Sequence, residues 1–456
     1  MNNSNAIQVA TIVVVGGGYA GLFAAHRARR AGARARRADV RIIVIDAEDA
    51  WQERTRWHQV AAGETIRSRS RRRIFRGTGV ETVTGTVAAI DLDSRAVHFT
   101  ADQQAPLPFD RLVYATGSRS TACAVPGALD NAHTLDTAAA SRRLSLAIAQ
   151  QPSSRVLIVG GGLTGVQTAA QIAQRYPAAR VTLLSSGAIG HELPEKARQA
   201  VDQALGQLGV QIVTQEHRVQ AVEPGRVRWP GGQRDADLVV WTAGFAPSGL
   251  AAQAGLQVTR TGQVVVDDAL RSVSHPFVFA AGDGAAVPRA ASSYGAYAAT
   301  ATGATAGANA GLDLTGQAVN PLNMGYSFLA ASLGRHNAVV QLLNADGTPR
   351  PQLLTGRPAS AIKEAIEHYV TLAIQAERAI PRVYQWRPAP KKPATAAPGH
   401  QDHAGPRRVH GSAAAAHDRR AGLATTRCTA PLAGSADAGP AGHGCLPDSW
   451  PEPAAH

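Results

Sequence analysis

Two glycine-rich turns carry the chemistry that this sequence shows most directly. In VVVGGGYAGLFAA, Gly16, Gly18 and Gly21 stand at G-x-G-x-x-G spacing, with Tyr19 and Ala20 between them, behind a β-branched run and ahead of an Ala-rich helical pattern. Glycine lets the backbone turn tightly and approach a pyrophosphate, and a helix N-terminus just beyond offers unpaired N–H groups and a positive dipole end. The next apolar run ends in VIDAED and places Asp46 25 residues past Gly21, where a carboxylate can accept the hydroxyls of an adenosine ribose. VLIVGGGLTGVQTAA repeats the pattern with Gly160, Gly162, Thr164 and Gly165. The run after it ends in TLLSSG, so Ser185 and Ser186 occupy the acid's place. Either hydroxyl can bond a 2′-OH, and neither repels a 2′-phosphate.

These turns need strands and helices to aim them. TIVVV, a helix over residues 21–31 and VRIIVID form one β-α-β unit; RVLIVG, a helix over residues 165–175 and RVTLL form another. After each comes a stretch of period-2 alternation, read as an antiparallel insert (ETVTGTVAAIDLDSRAVHFT and VQIVTQEHRVQAVEPGRVRWP), and then a return strand, RLVYATGS or DLVVWTAGF. The expected fold is α/β: two Rossmann-like domains with inserted antiparallel layers, plus a small α+β C-terminal domain. The boundaries expected are 8–118 with 246–320 for the first domain, 119–245 for the second, 321–387 for a C-terminal interface domain and 388–456 for a disordered tail. In the C-terminal part, SFLAASLGRHNAVVQLL predicts a hairpin, and SAIKEAIEHYVTLAIQAER an amphipathic helix with Ile362, Ile366, Tyr369, Val370 and Ala373 on one face.

Composition narrows the function. A chain of 456 residues allows two or three domains. Its three cysteines, Cys123, Cys428 and Cys445, form no C-x-x-C and no ligand spacing, so neither a disulfide framework nor a metal site is expected and a reducing, cytoplasmic setting is. No apolar run is long enough to span a bilayer, and with the first strand starting at Thr11 no leader is expected. The net charge of +13 is concentrated early, with 15 Arg against 6 Asp plus Glu in residues 1–80. Those basic runs lack interleaved aromatics, which argues against nucleic acid and for solvated surface or anionic lipid headgroups.

Two dinucleotide sites on one chain imply an electron relay between FAD and NADH or NADPH. Over about residues 8–386 the chain resembles the two-dinucleotide-binding-domain flavoproteins, the pyridine nucleotide-disulfide oxidoreductase superfamily. The resemblance rests on both glycine turns and on RLVYATGS (Ala115, Thr116, Gly117), DLVVWTAGF (Ala243, Gly244) and FVFAAGDGA (Gly282, Asp283). It implies that Gly282 and Asp283 hold the flavin ribityl chain, that a helix starting near Gly295 points at the flavin pyrimidine edge, and that Val87 reads adenine. Without paired cysteines near the flavin, the pattern is most similar to type II NADH dehydrogenases, whose flavin-proximal segment ERTRWHQVAAGE resembles and in which Arg54 and His58 would face the flavin.

Two departures accompany that likeness. Gln167 stands where those enzymes carry a glutamate, and Tyr294 to Tyr297 replace their A-Q-x-A-x-Q pattern; Gln167 and Tyr294 are the residues expected nearest the reacting rings. The expected function is transfer of hydride from NAD(P)H to FAD and of electrons onward without a thiol relay, to a quinone by preference or to another small acceptor. A ferredoxin- or rubredoxin-type carrier reductase and a flavin-bound regulatory protein without turnover are the alternatives. A peripheral site on the inner face of the cell membrane and a homodimer are compatible with this reading.

Overall fold

Four successive buried residues, 12–15, form the centre of the first sheet, because a strand covered by helices on both faces needs no polar alternation. The computed structural model describes residues 9–34, 40–101, 103–215, 217–288, 295–380 and 382–390. Strand β1 (Ala10–Val15) is followed by α1 (Tyr19–Arg34), β2 (Val40–Asp46), β3 (Val80–Thr84) and β4 (Arg111–Tyr114). A second sheet is built from β5 (His133–Thr134), α2 (Ala138–Gln150), β6 (Arg155–Val159), α3 (Leu163–Arg175), β7 (Arg180–Ser185), α4 (Glu195–Gln207), β8 (Gln211–Thr214) and β9 (Leu238–Trp241). The chain then returns to the first sheet through β10 (Val278–Ala280) and α5 (Ala296–Leu314). The two sheets share one order, β10-β4-β1-β2-β3 and β5-β9-β6-β7-β8, and every neighbour is parallel. The crossing segments Ser118–Ser120 and Phe245–Pro247 pair antiparallel with each other, so a two-stranded ribbon joins the sheets.

β3 and β8 differ from the expectation that placed them in the antiparallel inserts. Both are outer strands of the parallel sheets, and an edge strand with one solvated face alternates with the same period as a half-buried antiparallel strand. The antiparallel layers are narrower: Val87–Asp91, Ala96–Phe99 and Leu107–Pro108 in the first, Ala221–Glu223, Arg226–Trp229 and Gly232–Asp235 in the second.

The expected C-terminal hairpin, β11 (Phe328–Ser332) with β12 (Ala338–Leu343), gains a third strand, β13 (Pro349–Thr355), which leads into α6 (Gly356–Ala376). This unit straddles both cores: Ala331, Leu333 and Val339 pack into that of the second sheet, Ala373, Ile374 and Tyr384 into that of the first. Helix α6 buries only part of the expected face, with Ala373 in the first core and Val370 packed against it. Ile362 and Tyr369 are 38% and 46% exposed, whereas Ala359, Lys363, Thr371, Ala373 and Ile374 are buried. Small side chains let it lie close to the body, and Lys363 carries its charge inward to Glu367. Residues 388–390, expected in the disordered tail, are held: the Ala389 N–H donates to Asn323 Oδ1 at 2.8 Å. Residues 391–456 lie outside those described.

Helices α1 and α5 pack backbone against backbone. A Cβ on Gly303 would lie 2.1 Å from the Ala20 carbonyl oxygen, and one on Gly307 2.0 Å from that of Ala24. The arginine-rich helix α1 also turns part of its charge inward. Arg27 and Arg30 pair with Glu377 at 2.6 and 2.9 Å, and that carboxylate is fully buried. On the same helix, burial first and the nearby charges of Arg30, Arg29 and Arg27 second push His26 down to about 3.

Two predictions follow from this packing. Gly307→Ala should cost about 1–3 kcal/mol through overpacking, read as a lower midpoint in thermal unfolding, whereas Gly206→Ala on α4, where a Cβ meets nothing within 4 Å, should be neutral or slightly stabilising. His26 is neutral in the folded chain and titrates near 6.5 once unfolded. Its contribution is therefore complete above pH 6.5 and is lost as pH falls from there towards 3, at up to about 1.4 kcal/mol per pH unit. Denaturant titrations between pH 7.5 and 5 should show a shallower pH slope for His26→Gln, and an unaltered slope would refute the assignment.

Candidate active site

Both glycine turns open at the C-terminal ends of their sheets onto one cleft of about 1910 Å³. In the first turn Gly16 has φ +103°, and a Cβ there would lie 2.2 Å from the Ala115 carbonyl oxygen; one on Gly21 would lie 1.8 Å from that of Gly16. Nothing lies within 4 Å of a Cβ built on Gly18, which faces open space. Packing therefore demands two of the glycines, and the third leaves the approach to the α1 N-terminus clear. At the end of β2, Asp46 accepts the Gly17 N–H at 2.7 Å through one oxygen and the Glu48 N–H at 3.0 Å through the other. Arg71 lies across this turn, with Nη2 3.0 Å from Asp46 and Nε donating to the Gly17 carbonyl at 3.0 Å. Burial lowers the Arg71 pKa, and the charge of Asp46 opposes that shift.

The middle of the cleft is polar, and several of its atoms have no partner. Asp283 accepts the Ser118 hydroxyl at 2.6 Å and the Gly295 N–H at 3.3 Å, tying the crossing ribbon to the start of α5; the Gly282 N–H donates to Thr302 Oγ1 at 2.9 Å. Arg54 donates to the Ser118 carbonyl at 2.6 Å and lies 5.4 and 5.5 Å from the rings of Trp57 and Phe245. Gln52 Oε1, Trp57 Nε1 and His58 Nε2 are buried cleft-lining atoms without a protein partner. A buried polar atom left so costs about 1–3 kcal/mol. One acceptor, one donor and one imidazole nitrogen suit a flat ring system bearing both carbonyls and N–H groups, which is what a flavin presents. His58 is held well below its ordinary pKa by burial, then by Lys363 and Arg56, so it stands there as a neutral imidazole.

The second turn repeats the first. A Cβ on Gly160, at φ +119°, would lie 2.6 Å from the Ala243 nitrogen, and one on Gly165 1.9 Å from the Gly160 carbonyl. Ser185 ends β7 as Asp46 ends β2, and the Gly187 N–H donates to its hydroxyl at 3.2 Å. Glu192 Oε1 accepts the Leu163 N–H at 3.2 Å, so a carboxylate caps the N-terminus of α3.

Of the residues expected from sequence, the cleft brings together Gly16, Gly18, Tyr19, Ala20, Asp46, Arg54, His58, Ala115, Thr116, Gly117, Gly160, Gly162, Thr164, Gln167, Ser185, Ala243, Gly244, Gly282, Asp283 and Gly295. Gly21 and Gly165 sit behind the turns they shape. Val87 is not brought to the cleft; it pairs with Phe99 in the antiparallel layer. Tyr294 lies outside the described residues, and Tyr297 is taken up by packing beside Met324 and Phe328, with its hydroxyl donating to the Gly325 carbonyl at 2.7 Å. Gln167 Oε1 accepts the Ser332 N–H at 3.1 Å, linking α3 to β11. Sequence reasoning missed Arg71, Lys363 and Glu367, all of which line the cleft. Arg71 is one of four arginines in RRRIFR, and nothing local separates it from its neighbours.

Two parallel sheets, each ending in a glycine turn on a shared cleft, define a flavoprotein oxidoreductase that uses FAD and a nicotinamide dinucleotide. The chain belongs to the pyridine nucleotide-disulphide oxidoreductase family, which matches residues 10–306. It is 32% identical over 382 residues to an NADH dehydrogenase-like protein of Mycobacterium tuberculosis, covering 78% of this chain and 92% of that protein. It is 26% identical over 331 residues to the type II NADH:quinone oxidoreductase of Haemophilus influenzae, covering 60% and 73%. The fold is similar to that of NDH2 from Plasmodium falciparum in complex with NADH, at a TM-score of 0.65 and 12% identity over 81% of this chain and 97% of that one.

The α3 cap carries its own prediction. A carboxylate on the Leu163 amide occupies the end of the helix dipole that favours a phosphate, and it repels one. Glu192→Gln should tighten nicotinamide dinucleotide binding about threefold to tenfold, with the flavin spectrum unaltered. Titration calorimetry reads the first quantity, and weaker binding would show that Glu192 helps to hold the dinucleotide.

Proposed function

We propose that the protein is an NAD(P)H:quinone oxidoreductase working at the surface of an anionic membrane. The observation that carries the reading is that both glycine turns face one cleft, so two dinucleotides laid on them bring their rings together. The first unit holds FAD: Gly16, Gly18 and the α1 N-terminus take its diphosphate, Asp46 its adenosine ribose, and Gly282 and Asp283 its ribityl chain. The second unit takes the nicotinamide dinucleotide through Gly160, Gly162, Thr164 and Ser185. Bound FAD supplies a two-electron carrier between nicotinamide and acceptor. Arg54, fixed by Ser118 and by its two aromatic neighbours, and His58, held neutral, flank the reacting region; Gln167, anchored on Ser332, presents an amide where a carboxylate would add negative charge.

A quinone is favoured as acceptor for two reasons. The name of the Haemophilus influenzae relative specifies one, and the sequence has no C-x-x-C motif to relay electrons to a disulfide. Membrane contact is supported by α6, whose outer face carries Ile362, Tyr369 and Leu372, and by Ile380 beyond it, with Arg357 and Arg378 in the same segment. Among the described residues no helix is long and apolar enough to cross a membrane, so attachment would be peripheral, on the cytoplasmic face.

An anaerobic two-step titration tests this. Reduced nicotinamide dinucleotide should bleach the flavin absorbance within seconds, and a short-chain ubiquinone or menaquinone should restore it. Bleaching with no recovery on quinone, but rapid recovery on a small iron–sulfur carrier, would move the acceptor to a protein. A flavin that no nicotinamide dinucleotide bleaches would remove the dehydrogenase reading.

A further inference from the structure

We propose that the second dinucleotide site selects the 2′-phosphorylated nucleotide, NADPH, through Ser185, Ser186, Gln215 and Arg218. This rests on the assignment of the second glycine turn to a nicotinamide dinucleotide and specifies which one it takes.

The chain contains its own comparison. β1 pairs β2 in the same register as β6 pairs β7, with Val15 opposite Ile45 and Val159 opposite Leu184, so the next residues, Asp46 and Ser185, occupy equivalent positions. At Asp46 a carboxylate accepts two backbone N–H groups, an arrangement that would repel a 2′-phosphate. At Ser185 the side chain is a neutral hydroxyl that lies under Gly161, within 2.3 Å of a Cβ built there. The following Ser186 is exposed on the cleft.

The neighbouring strand supplies the rest. β8 pairs β7 with Thr214 opposite Ser185, and the next residue, Gln215, donates its N–H to the Ser185 carbonyl at 3.0 Å. Gln215 lines the cleft, and its carboxamide carries two N–H donors. Arg218, three residues on, is an exposed cleft-lining cation that makes no ion pair among the described residues. The carboxylates that line the cleft lie elsewhere: Asp46 and Glu48 at the first turn, Asp283 at the start of α5, Glu367 on Lys363, Asp136 on the Ser120 N–H, and Glu192 on the Leu163 N–H. Among the described residues, the adenosine end of the second site thus presents two hydroxyls, an amide and a guanidinium with no opposing acid. A guanidinium bonds phosphate oxygens in a charge-assisted fork, and hydroxyls and amide N–H groups serve the remaining oxygens.

The test uses the flavin-loaded full chain and two probes of the adenosine end, 2′,5′-ADP and 5′-AMP, titrated by calorimetry. The 2′-phosphorylated probe should bind about tenfold or more tightly, with the advantage shrinking as salt is raised. Arg218→Ala should lose about tenfold for 2′,5′-ADP and little for 5′-AMP, and Ser185→Asp should reverse the preference. Each variant should keep the flavin spectrum of the parent, which reports folding independently of nucleotide. Equal affinity for the two probes, or an equal loss of both in Arg218→Ala, would overturn the selectivity while leaving the dehydrogenase reading intact. Binding of neither probe, with no flavin bleaching by NADH or NADPH, would overturn the second-site assignment and the selectivity with it.

Discussion

The backbones of α1 and α5 approach so closely that Gly303 and Gly307 leave no room for a methyl group against the carbonyls of Ala20 and Ala24. Much of the cleft depends on that contact. It fixes where α5 begins, at Gly295, and hence where Asp283 can accept the Gly295 N–H and the Ser118 hydroxyl together. Ser118 opens the ribbon that leads to the second sheet, so the spacing of one helix pair is passed on to the relation between the two glycine turns. The turns use the same device at smaller scale: Gly21 and Gly165 bring a helix backbone onto the carbonyls of Gly16 and Gly160.

Charge is used inside this molecule as much as on its surface. Arg27 and Arg30 reach Glu377, Arg71 reaches Asp46, and Arg56 reaches Glu53, Glu364 and Glu367. Desolvation offsets most of the attraction in such pairs, so their net contribution to stability is small. Their effect is positional, because all but Arg56–Glu53 join segments distant in the chain and a stranded partner is costly. The same network adds to the burial that depresses His58 and brings Lys363 and Glu367 to the cleft, so the C-terminal unit contributes to the site as well as to the two cores it spans.

The sequence by itself determined the two β-α-β units, the glycine turns, the acid ending one strand and the serine ending the other. Such features are written within about 30 residues, as a spacing of glycines between a strand and a helix pattern. It also conveyed the C-terminal hairpin, but only part of the face that α6 buries, because an Ala-rich helix has several surfaces small enough to pack. The tertiary structure alone decided which arginines of the basic runs are buried, that Gln167 is bound to Ser332, that Tyr297 serves packing, that Val87 stays away from the cleft, and that Arg218 lines the same cleft as Ser185. These outcomes depend on partners separated by up to 357 positions. A side chain that meets its partner across such a distance leaves no periodic trace in either segment, and only the packed backbone brings the two together.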